Sequence, residues 1–242
     1  LDDALNSVHE EPLTLGEMAV ARTSYGTAIA SAGPTSAVAA WVGFAEPAVG
    51  LPGGLMAQEV HMSGDKGPVM VLAPQELGQV QGQPTIAMGP GGIGMAVYRT
   101  TNGAGLWAVR FSLDTMTSLG GPIQIPVPAE LLGALFSGGD SPAERYDVAM
   151  NGDGWGLISV GFTEEASRLY RLDPEGQLVD GYLTSGGTNE VPHVGAATCF
   201  DDAMVVTGGV ANGVPGVFTT MFLADDNGNG QADLCCDWSA GN

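Results

Sequence analysis

An internal repeat is the feature that most constrains how this chain folds. The segment 84–100, PTIAMGPGGIGMAVYRT, aligns without a gap on the segment 146–162, YDVAMNGDGWGLISVGF. In this alignment Ile86 falls on Val148. Two further segments fit the same frame, the second more loosely: AIASAGPTSAVAAWVGF (28–44) and VGAATCFDDAMVVTGGV (194–210). Self-similarity of this kind predicts one supersecondary unit that is used four times.

Each unit continues in the same way after its first two apolar runs. A third apolar run follows, then an acidic turn, and in three of the units a fourth short run. The turns are SGDKG, DTMTS, DPEGQ and DDNGNG. The unit is therefore predicted to be four short strands separated by turns. One segment, 128–139, PAELLGALFSGG, is the single candidate helical turn and lies between two units.

The strand chemistry favours packed blades. The second run of each unit is almost wholly apolar, as in 95–98 and 157–160, which is expected of a strand that is covered on both faces. The first run is rich in small residues, such as Ala28 and Ala30, which suits a crowded innermost position. We expect an all-β fold, a β-propeller of four 4-stranded blades. Half of a larger propeller completed by another chain, and a β-sandwich, are the alternatives.

The repeat also predicts the domain boundaries. A short N-terminal extension and a short C-terminal tail would flank one propeller, and the strand-like run before the first unit would close the last blade. These segments are 1–11 for the extension, 12–234 for the propeller, 12–22 for the closing run and 235–242 for the tail. The units within the propeller are approximately 24–80, 81–140, 141–190 and 191–234.

The charge balance excludes some classes of partner. Seven Lys and Arg stand against 27 Asp and Glu, a formal net charge of −20. Nucleic acids and anionic membranes need a basic surface, so neither is an expected partner. Because no apolar run reaches the ~20 residues of a membrane span, no membrane insertion is expected. The balance suits a secreted or cell-surface protein. The first residue is Leu1 rather than Met, which fits a processed chain and a trimmed one equally well.

The units resemble the blades of bacterial extracellular propellers of the sialidase and Kelch-like kind, with degenerate motifs. The segment SGDKGPVM, 63–70, resembles the Asp-box turn of these families. Ser63, Asp65 and Gly67 match that motif, whereas Met70 stands where the motif has an aromatic residue. In those families the Asp-box is a structural turn on the rim, so the resemblance implies a fold and no activity.

A candidate metal site lies near the C-terminus, in DDNGNGQADLCCD. Oxygen ligands fall at positions 1, 3, 5 and 9 of a loop, with Gly230 at position 6 and a backbone carbonyl at position 7, as in the first half of an EF-hand loop. Cys236 replaces the bidentate Glu of position 12. The loop resembles thrombospondin type 3 and dockerin-like calcium loops. The predicted Ca²⁺ ligands are Asp225, Asn227, Asn229, Gln231 and Asp233. The alternative is an Asn/Gly-rich turn without metal.

Three cysteines, Cys199, Cys235 and Cys236, are disulfide candidates. Cys199 bonded to one of the adjacent pair, a vicinal disulfide, an intermolecular bond and three reduced thiols all remain open. Three isolated histidines, His9, His61 and His193, are expected to be structural. Four aromatic residues at strand positions are expected to pack between blades: Trp41, Tyr98, Trp107 and Tyr170.

No motif in the chain carries a convincing catalytic constellation. Asp114, Asp173 and Asp225 recur at equivalent turns after third runs, which is typical of turn formers rather than of acid/base pairs. We therefore expect a secreted or cell-surface, non-catalytic binding or assembly module with a structural calcium. Its partner would be a protein or a glycan, and it would also suit an oligomer or a filament. The alternatives are a propeller hydrolase or lyase acting on polysaccharide, and one processed fragment or subunit of a larger extracellular assembly.

Overall fold

The computed structural model describes nine segments of the chain. They are residues 27–43, 53–74, 80–100, 105–127, 146–161, 166–185, 194–199, 203–208 and 218–223. The described segments form 16 β-strands and one short 3₁₀ turn, Pro90–Gly92. The fold of this part of the chain is therefore all-β, as predicted.

The strands form four separate antiparallel sheets, one after another along the chain. Sheet 1 contains β1 (Thr27–Ser31), β2 (Ser36–Gly43), β3 (Gly54–His61) and β4 (Met70–Pro74). Sheet 2 contains β5 (Val80–Met88), β6 (Ile93–Thr100), β7 (Gly105–Ser112), β8 (Thr117–Ser118) and β9 (Ile123–Ile125). Sheet 3 contains β10 (Tyr146–Met150), β11 (Gly156–Gly161), β12 (Ala166–Leu172) and β13 (Leu178–Ser185). Sheet 4 contains β14 (Val194–Cys199), β15 (Ala203–Gly208) and β16 (Phe218–Leu223).

Each sheet is a meander in which every strand pairs with the next, except that β9 of sheet 2 pairs with β7. The four first hairpins share one register. The central pairs in sheets 1 to 4 are Ile29–Ala39, Ile86–Ala96, Val148–Ile158 and Ala196–Val206. These are the same positions that the gap-free sequence alignment superposes. Because a shift by one residue would turn each strand's apolar set to its other face, the shared register shows that the units are equivalent in structure.

The turns of these first hairpins are also equivalent. The backbone N–H of residue i donates to the carbonyl of residue i+4 in sheets 1, 2 and 3. The pairs are Ala32 to Ser36 at 3.0 Å, Gly89 to Ile93 at 2.8 Å and Asn151 to Trp155 at 3.0 Å. In sheet 3 the Asn151 side-chain oxygen also accepts from the backbone of Asp153 and of Trp155. An Asn side chain that accepts hydrogen bonds from backbone N–H groups of its own turn stabilises the turn through local contacts.

The sheets pack face to face in chain order, and their first strands lie next to one another. Strand β1 contacts β5, β5 contacts β10, and β10 contacts β14. We call the face of a sheet that is turned to the preceding sheet its leading face, and the opposite face its trailing face. This arrangement of successive meanders around a line of first strands is propeller-like.

Two hydrophobic clusters lie between the sheets, one on each face of sheet 2. The first joins the trailing face of sheet 1 to the leading face of sheet 2, where Val38, Leu55, Ile86, Tyr98 and Phe111 are buried. The second joins sheet 2 to sheet 3, and its buried members include Met95, Val97, Leu106, Tyr146, Val148, Ile158, Tyr170 and Leu172. Sheet 2 is therefore a middle layer, which contradicts the alternative of a two-layer β-sandwich.

The described strands do not form a closed ring, so closure of the four predicted blades on themselves is not confirmed. Sheet 4 packs on sheet 3 through the contacts of β14 with β10 and β11. Among the described strands, no extensive contact joins sheet 4 to sheet 1. The segment 12–22, which was predicted to close the last blade, lies outside the described residues, as do the extension 1–11 and the tail 235–242.

The fourth strand of sheet 2 differs from its prediction. A single fourth run was expected after the turn DTMTS, but two short strands, β8 and β9, pair separately with β7. Strand β8 lies within the segment that was predicted to be only a turn. Between them, the Leu119 N–H donates to the Arg110 carbonyl at 2.8 Å, which keeps the outer edge of β7 partly satisfied. The candidate helical turn at 128–139 lies outside the described residues.

No described segment is a helix of the length and hydropathy that a membrane crossing requires.

Candidate functional site

The leading face of sheet 1 is not covered by another described sheet, unlike the leading faces of sheets 2 and 3. On β1, Thr27, Ile29 and Ser31 point away from sheet 2 and are exposed, whereas Ala28 and Ala30 pack on the cluster between sheets 1 and 2. The alternation is that of a strand with one covered and one open face. Strand β1 therefore presents the aliphatic side chain of Ile29 to solvent, between the hydroxyl side chains of Thr27 and Ser31.

The equivalent positions in the next two sheets are covered. Ile29 is 73% exposed, whereas Ile86 is 8% exposed and Val148 is 4% exposed. The three residues occupy the same place in the shared register, so the difference does not come from strand geometry. It comes from the neighbour, because Ile86 packs against sheet 1 and Val148 packs against sheet 2.

The remainder of this face is a mixture of buried and exposed apolar residues. Trp41 pairs with Met56 across β2 and β3, and Met56 pairs with Val71 across β3 and β4. Met56 is fully buried, Trp41 is half-buried, and Val71 is 37% exposed. The face is thus open at its inner strand, β1, and at its outer strand, β4. An apolar surface that is open at these places is a candidate contact surface.

The Asp-box-like turn lies at the far end of sheet 1, between β3 and β4. The Ser63 hydroxyl donates to Asp65 Oδ2 at 2.8 Å and accepts from the Asp65 N–H at 3.3 Å. Glu59 Oε2 is 3.7 Å from His61 Nε2. The Gln58 side chain donates to the Gly67 carbonyl at 2.8 Å, which anchors the turn to the strand. These contacts close the loop on itself, so we assign the turn a structural role.

Asp173 makes an equivalent turn between β12 and β13. Its Oδ1 accepts from the Gln177 N–H at 2.6 Å, and its backbone N–H donates to the Gln177 carbonyl at 3.0 Å. The Gly176 N–H donates to the Asp173 carbonyl at 2.8 Å, and Gly176 has a φ of +84° that favours glycine. Asp114 lies in the corresponding turn after β7. In the described turns the recurring acids are therefore turn residues, as the sequence predicted.

Polar side chains are also buried between sheets 2 and 3. The Tyr170 hydroxyl donates to the Pro126 carbonyl at 3.2 Å. Burial raises the pKa of Tyr170, and a hydrogen bond and the charge of Arg168 lower it in part. Burial likewise raises the pKa of Tyr146, against the charge of Arg99. Phenols in this state stay neutral at physiological pH, so this cluster links the sheets and supplies no general base.

The predicted calcium ligands, Asp225 to Asp233, lie outside the described residues, as do Cys235 and Cys236. Cys199 is the last residue of β14, at the edge of sheet 4. Within the described segments, no group of three or more His, Cys, Asp or Glu side chains is arranged to hold a metal ion. His61 lies at the end of β3, next to Glu59, and His9 and His193 are outside the described part.

The four aromatic residues do not all pack between blades. Tyr98 and Trp107 face sheet 1, and Tyr170 faces sheet 2, as predicted. Trp41 occupies the position equivalent to Tyr98 but lies on the leading face of sheet 1, where no described sheet covers it. Sequence reasoning missed this difference because equivalent positions were assumed to have equivalent neighbours. A signal was present: Thr27 and Ser31 stand where sheet 3 has Tyr146 and Met150.

The chain is similar to known proteins in fold, but it matches no protein family. No protein-family model matches the chain, and no curated protein matches it. A solved structure of a Dyadobacter fermentans protein of unknown function has 12% identity and a TM-score of 0.50, and covers 77% of this chain and 50% of its own. A Hadza microbial sialidase has 13% identity and a TM-score of 0.46 over 81% of this chain and 44% of its own. The β-propeller domain of the Pyrococcus furiosus Trilobed protease, described as having an open velcro topology, has 9% identity and a TM-score of 0.44 over 85% of this chain and 56% of its own.

These likenesses concern the fold alone. The chain spans about half the length of the solved proteins that it matches.

Proposed function

We propose that this chain is a non-catalytic binding and assembly module of a secreted or cell-surface protein, and that the leading face of sheet 1 is a contact surface. The observation that carries the proposal is the exposure of Ile29, 73% against 8% for its counterpart Ile86. The leading faces of sheets 2 and 3 are each covered by the preceding sheet. Strand β1 is exposed at Ile29, the position where its two counterparts are covered, and this exposure suits a partner that docks there.

The chemistry of this face suits a protein partner. Ile29 is an aliphatic centre, Trp41 adds a large half-buried ring, and Thr27 and Ser31 supply hydroxyl groups beside them. An apolar centre with a polar rim is the usual anatomy of an interface between separately folded proteins. Tryptophan is among the residues that contribute most binding free energy at such interfaces. A glycan that stacks on Trp41 is the second partner class that fits.

The proposal retains a structural calcium in the loop 225–233. Its support is the sequence spacing of hard oxygen donors, Asp225, Asn227, Asn229 and Asp233. Thermal unfolding of the calcium-loaded chain with and without EDTA tests it. We expect chelation to lower the Tm, and Asp225→Ala to remove the effect of chelator. A Tm that EDTA leaves unchanged contradicts the structural calcium.

A polysaccharide hydrolase or lyase is the alternative function, and one residue allows a direct test of it. Asp147 is the only acidic residue in the first strands β1, β5, β10 and β14. The first strands lie next to one another, so Asp147 is the carboxylate that a catalytic site along these strands would use. Its Oδ1 accepts from the Val148 N–H at 2.9 Å.

The experiment measures reducing-sugar release from a panel of soluble polysaccharides by the wild type, Asp147→Asn and the rim variant Asp173→Asn. We expect no release by any of the three proteins. Release by the wild type that is lost in Asp147→Asn and retained in Asp173→Asn would contradict the non-catalytic module and favour the hydrolase.

A further inference from the structure

Two arginines stand at positions where sheet 1 carries apolar residues. In the shared register Arg99, on β6, corresponds to Val42 on β2, which is buried. Arg168, on β12, corresponds to Met56 on β3 and to Trp107 on β7. The layer between sheets 1 and 2 packs Val42 and Trp107 at these positions without any charge. Packing between sheets therefore does not account for the two arginines.

Both arginines lie in the layer between sheets 2 and 3. Arg99 pairs with Leu106, and Arg168 pairs with Val160, and both partners belong to the hydrophobic cluster of this layer. Because cross-strand pairs share a face, Arg99 points from sheet 2 to sheet 3 and Arg168 points from sheet 3 to sheet 2. Arg99 and Val160 are each the penultimate residue of their strands, β6 and β11, so the two arginines lie at the same end of the layer.

The tyrosines of sheet 3 locate the two guanidinium groups. Burial raises the pKa of Tyr146, and the charge of Arg99 lowers it in part, so this guanidinium lies near the Tyr146 ring. Burial raises the pKa of Tyr170, and a hydrogen bond and the charge of Arg168 lower it in part. Tyr146, Val160 and Arg168 form one row across sheet 3. Arg99 therefore lies opposite the row that contains Arg168.

Within the described part of the chain, no carboxylate is paired with Arg168. Its described partner is the neutral hydroxyl of Tyr170, and its Nε is buried without a hydrogen bond to a described residue. Asp147 follows Tyr146 on β10, so it lies on the opposite, trailing face of sheet 3. Arg168 is half-buried. A charge in such a place is stabilised by an opposite charge beside it.

We propose that Arg99 and Arg168 bind the carboxylate of a small ligand at this end of the layer between sheets 2 and 3. A guanidinium presents its N–H groups in a planar fork that matches a carboxylate. The net charge of −20 favours a ligand with a single negative charge, because a phosphate dianion or a polyanion is repelled more strongly. This site is distinct from the leading face of sheet 1, and its loss would leave that contact surface intact.

The test measures the binding of glucuronate, a sugar that carries one carboxylate, by isothermal titration at constant ionic strength. We expect the wild type to bind glucuronate and not glucose, which lacks the carboxylate. Arg168→Met places the residue of sheet 1 in sheet 3. It is expected to raise the dissociation constant by about 10–100-fold, because charge-assisted hydrogen bonds are lost. Arg171→Met is the matched control, since it removes the same charge from β12 where the guanidinium lies 5.8 Å from the Trp155 ring, and it should leave the dissociation constant unchanged.

Arg99→Val is the second variant, and it replaces Arg168→Met should that protein fail to fold. It places the residue of sheet 1 in sheet 2 and should weaken binding of glucuronate in the same way. A wild type that binds neither glucuronate nor acetate overturns the site, and so does binding that Arg168→Met and Arg99→Val leave unchanged. Acetate that binds as tightly as glucuronate, with the same loss in the variants, supports recognition of the carboxylate itself. Phosphate or sulfate that binds more tightly than glucuronate overturns the choice of a carboxylate.

Discussion

Sheets 1 and 2 are built from the same repeat and have different surroundings. Sheet 2 lies between two neighbours, and its second strand alternates residues between two clusters, with Met95 and Val97 on one side and Tyr98 on the other. Sheet 1 has one covered face, with Val38 at its centre, and one face that carries the exposed Ile29. The comparison shows that register alone does not decide burial in a repeat protein. The presence of the next layer decides it.

A large effect is expected at a position where the two sheets carry different small residues. Gly94 of sheet 2 corresponds to Ala37 of sheet 1, and a Cβ on Gly94 would overlap the Phe111 ring. Gly94→Ala is therefore expected to lower the free energy of unfolding by about 1–3 kcal/mol, because the buried ring has no room to move. Denaturant unfolding measures the change.

Ala37→Gly is the matched control, and it should cost only the roughly 0.5–1 kcal/mol of a glycine within a strand. An equal loss in the two variants would show that sheet 2 is no more tightly packed than sheet 1.

Alkaline pH is expected to lower the free energy of unfolding through buried tyrosines of sheets 2 and 3. Burial raises the pKa of Tyr98, Tyr146 and Tyr170, which lie in sheets 2 and 3. In the unfolded chain these phenols ionise near their ordinary pKa of about 10, so above that pH the unfolded state releases protons that the folded state retains. Stability is thus fully present below pH 10 and declines as the pH rises further. Denaturant unfolding measured from neutral to alkaline pH checks the slope, and a flat profile above pH 10 would contradict this burial.

The smallest expected effect is at Tyr98. Its hydroxyl is buried and has no hydrogen-bond partner within the described part of the chain. Tyr98→Phe is expected to be neutral or stabilising by up to about 1 kcal/mol, because an unsatisfied buried group is removed. Tyr170→Phe is the control, since that hydroxyl donates to the Pro126 carbonyl and its loss should cost about 1 kcal/mol. Destabilisation of Tyr98→Phe equal to that of Tyr170→Phe would mean that the Tyr98 hydroxyl has a partner.

Much of the fold was accessible from the sequence because the repeat fixes register. Aligning Ile86 on Val148 superposes the first hairpins, and the observed pairs of β5–β6 and β10–β11 follow the same alignment. The turn role of Asp173 was also predicted, since its chemistry is local. Contacts between sheets could not be predicted in the same way. Contacts between sheets depend on how many sheets pack side by side and on which sheet is the last. No short-range sequence pattern encodes the number or the order of the sheets.

The candidate surface was found only in the structure, because the sequence treats Ile29 and Ile86 as equivalent. The split of the fourth strand of sheet 2 into β8 and β9 was missed for a related reason, as a two-residue strand has no periodicity to detect. The calcium loop, the disulfide candidates and the closing segment 12–22 stay predictions from sequence.

The most direct test of the account compares Ile29→Ala with Ile86→Ala, each measured by denaturant unfolding at low and at high protein concentration. Ile86 is buried against the preceding sheet, so its variant should lose about 2–4 kcal/mol at every concentration. Ile29 has no such neighbour among the described residues and is 73% exposed, so its variant should differ from wild type by less than about 0.5 kcal/mol at both concentrations. An equal loss in the two variants would contradict the account, because it would mean that the Ile29 side chain is covered in the folded chain as the Ile86 side chain is.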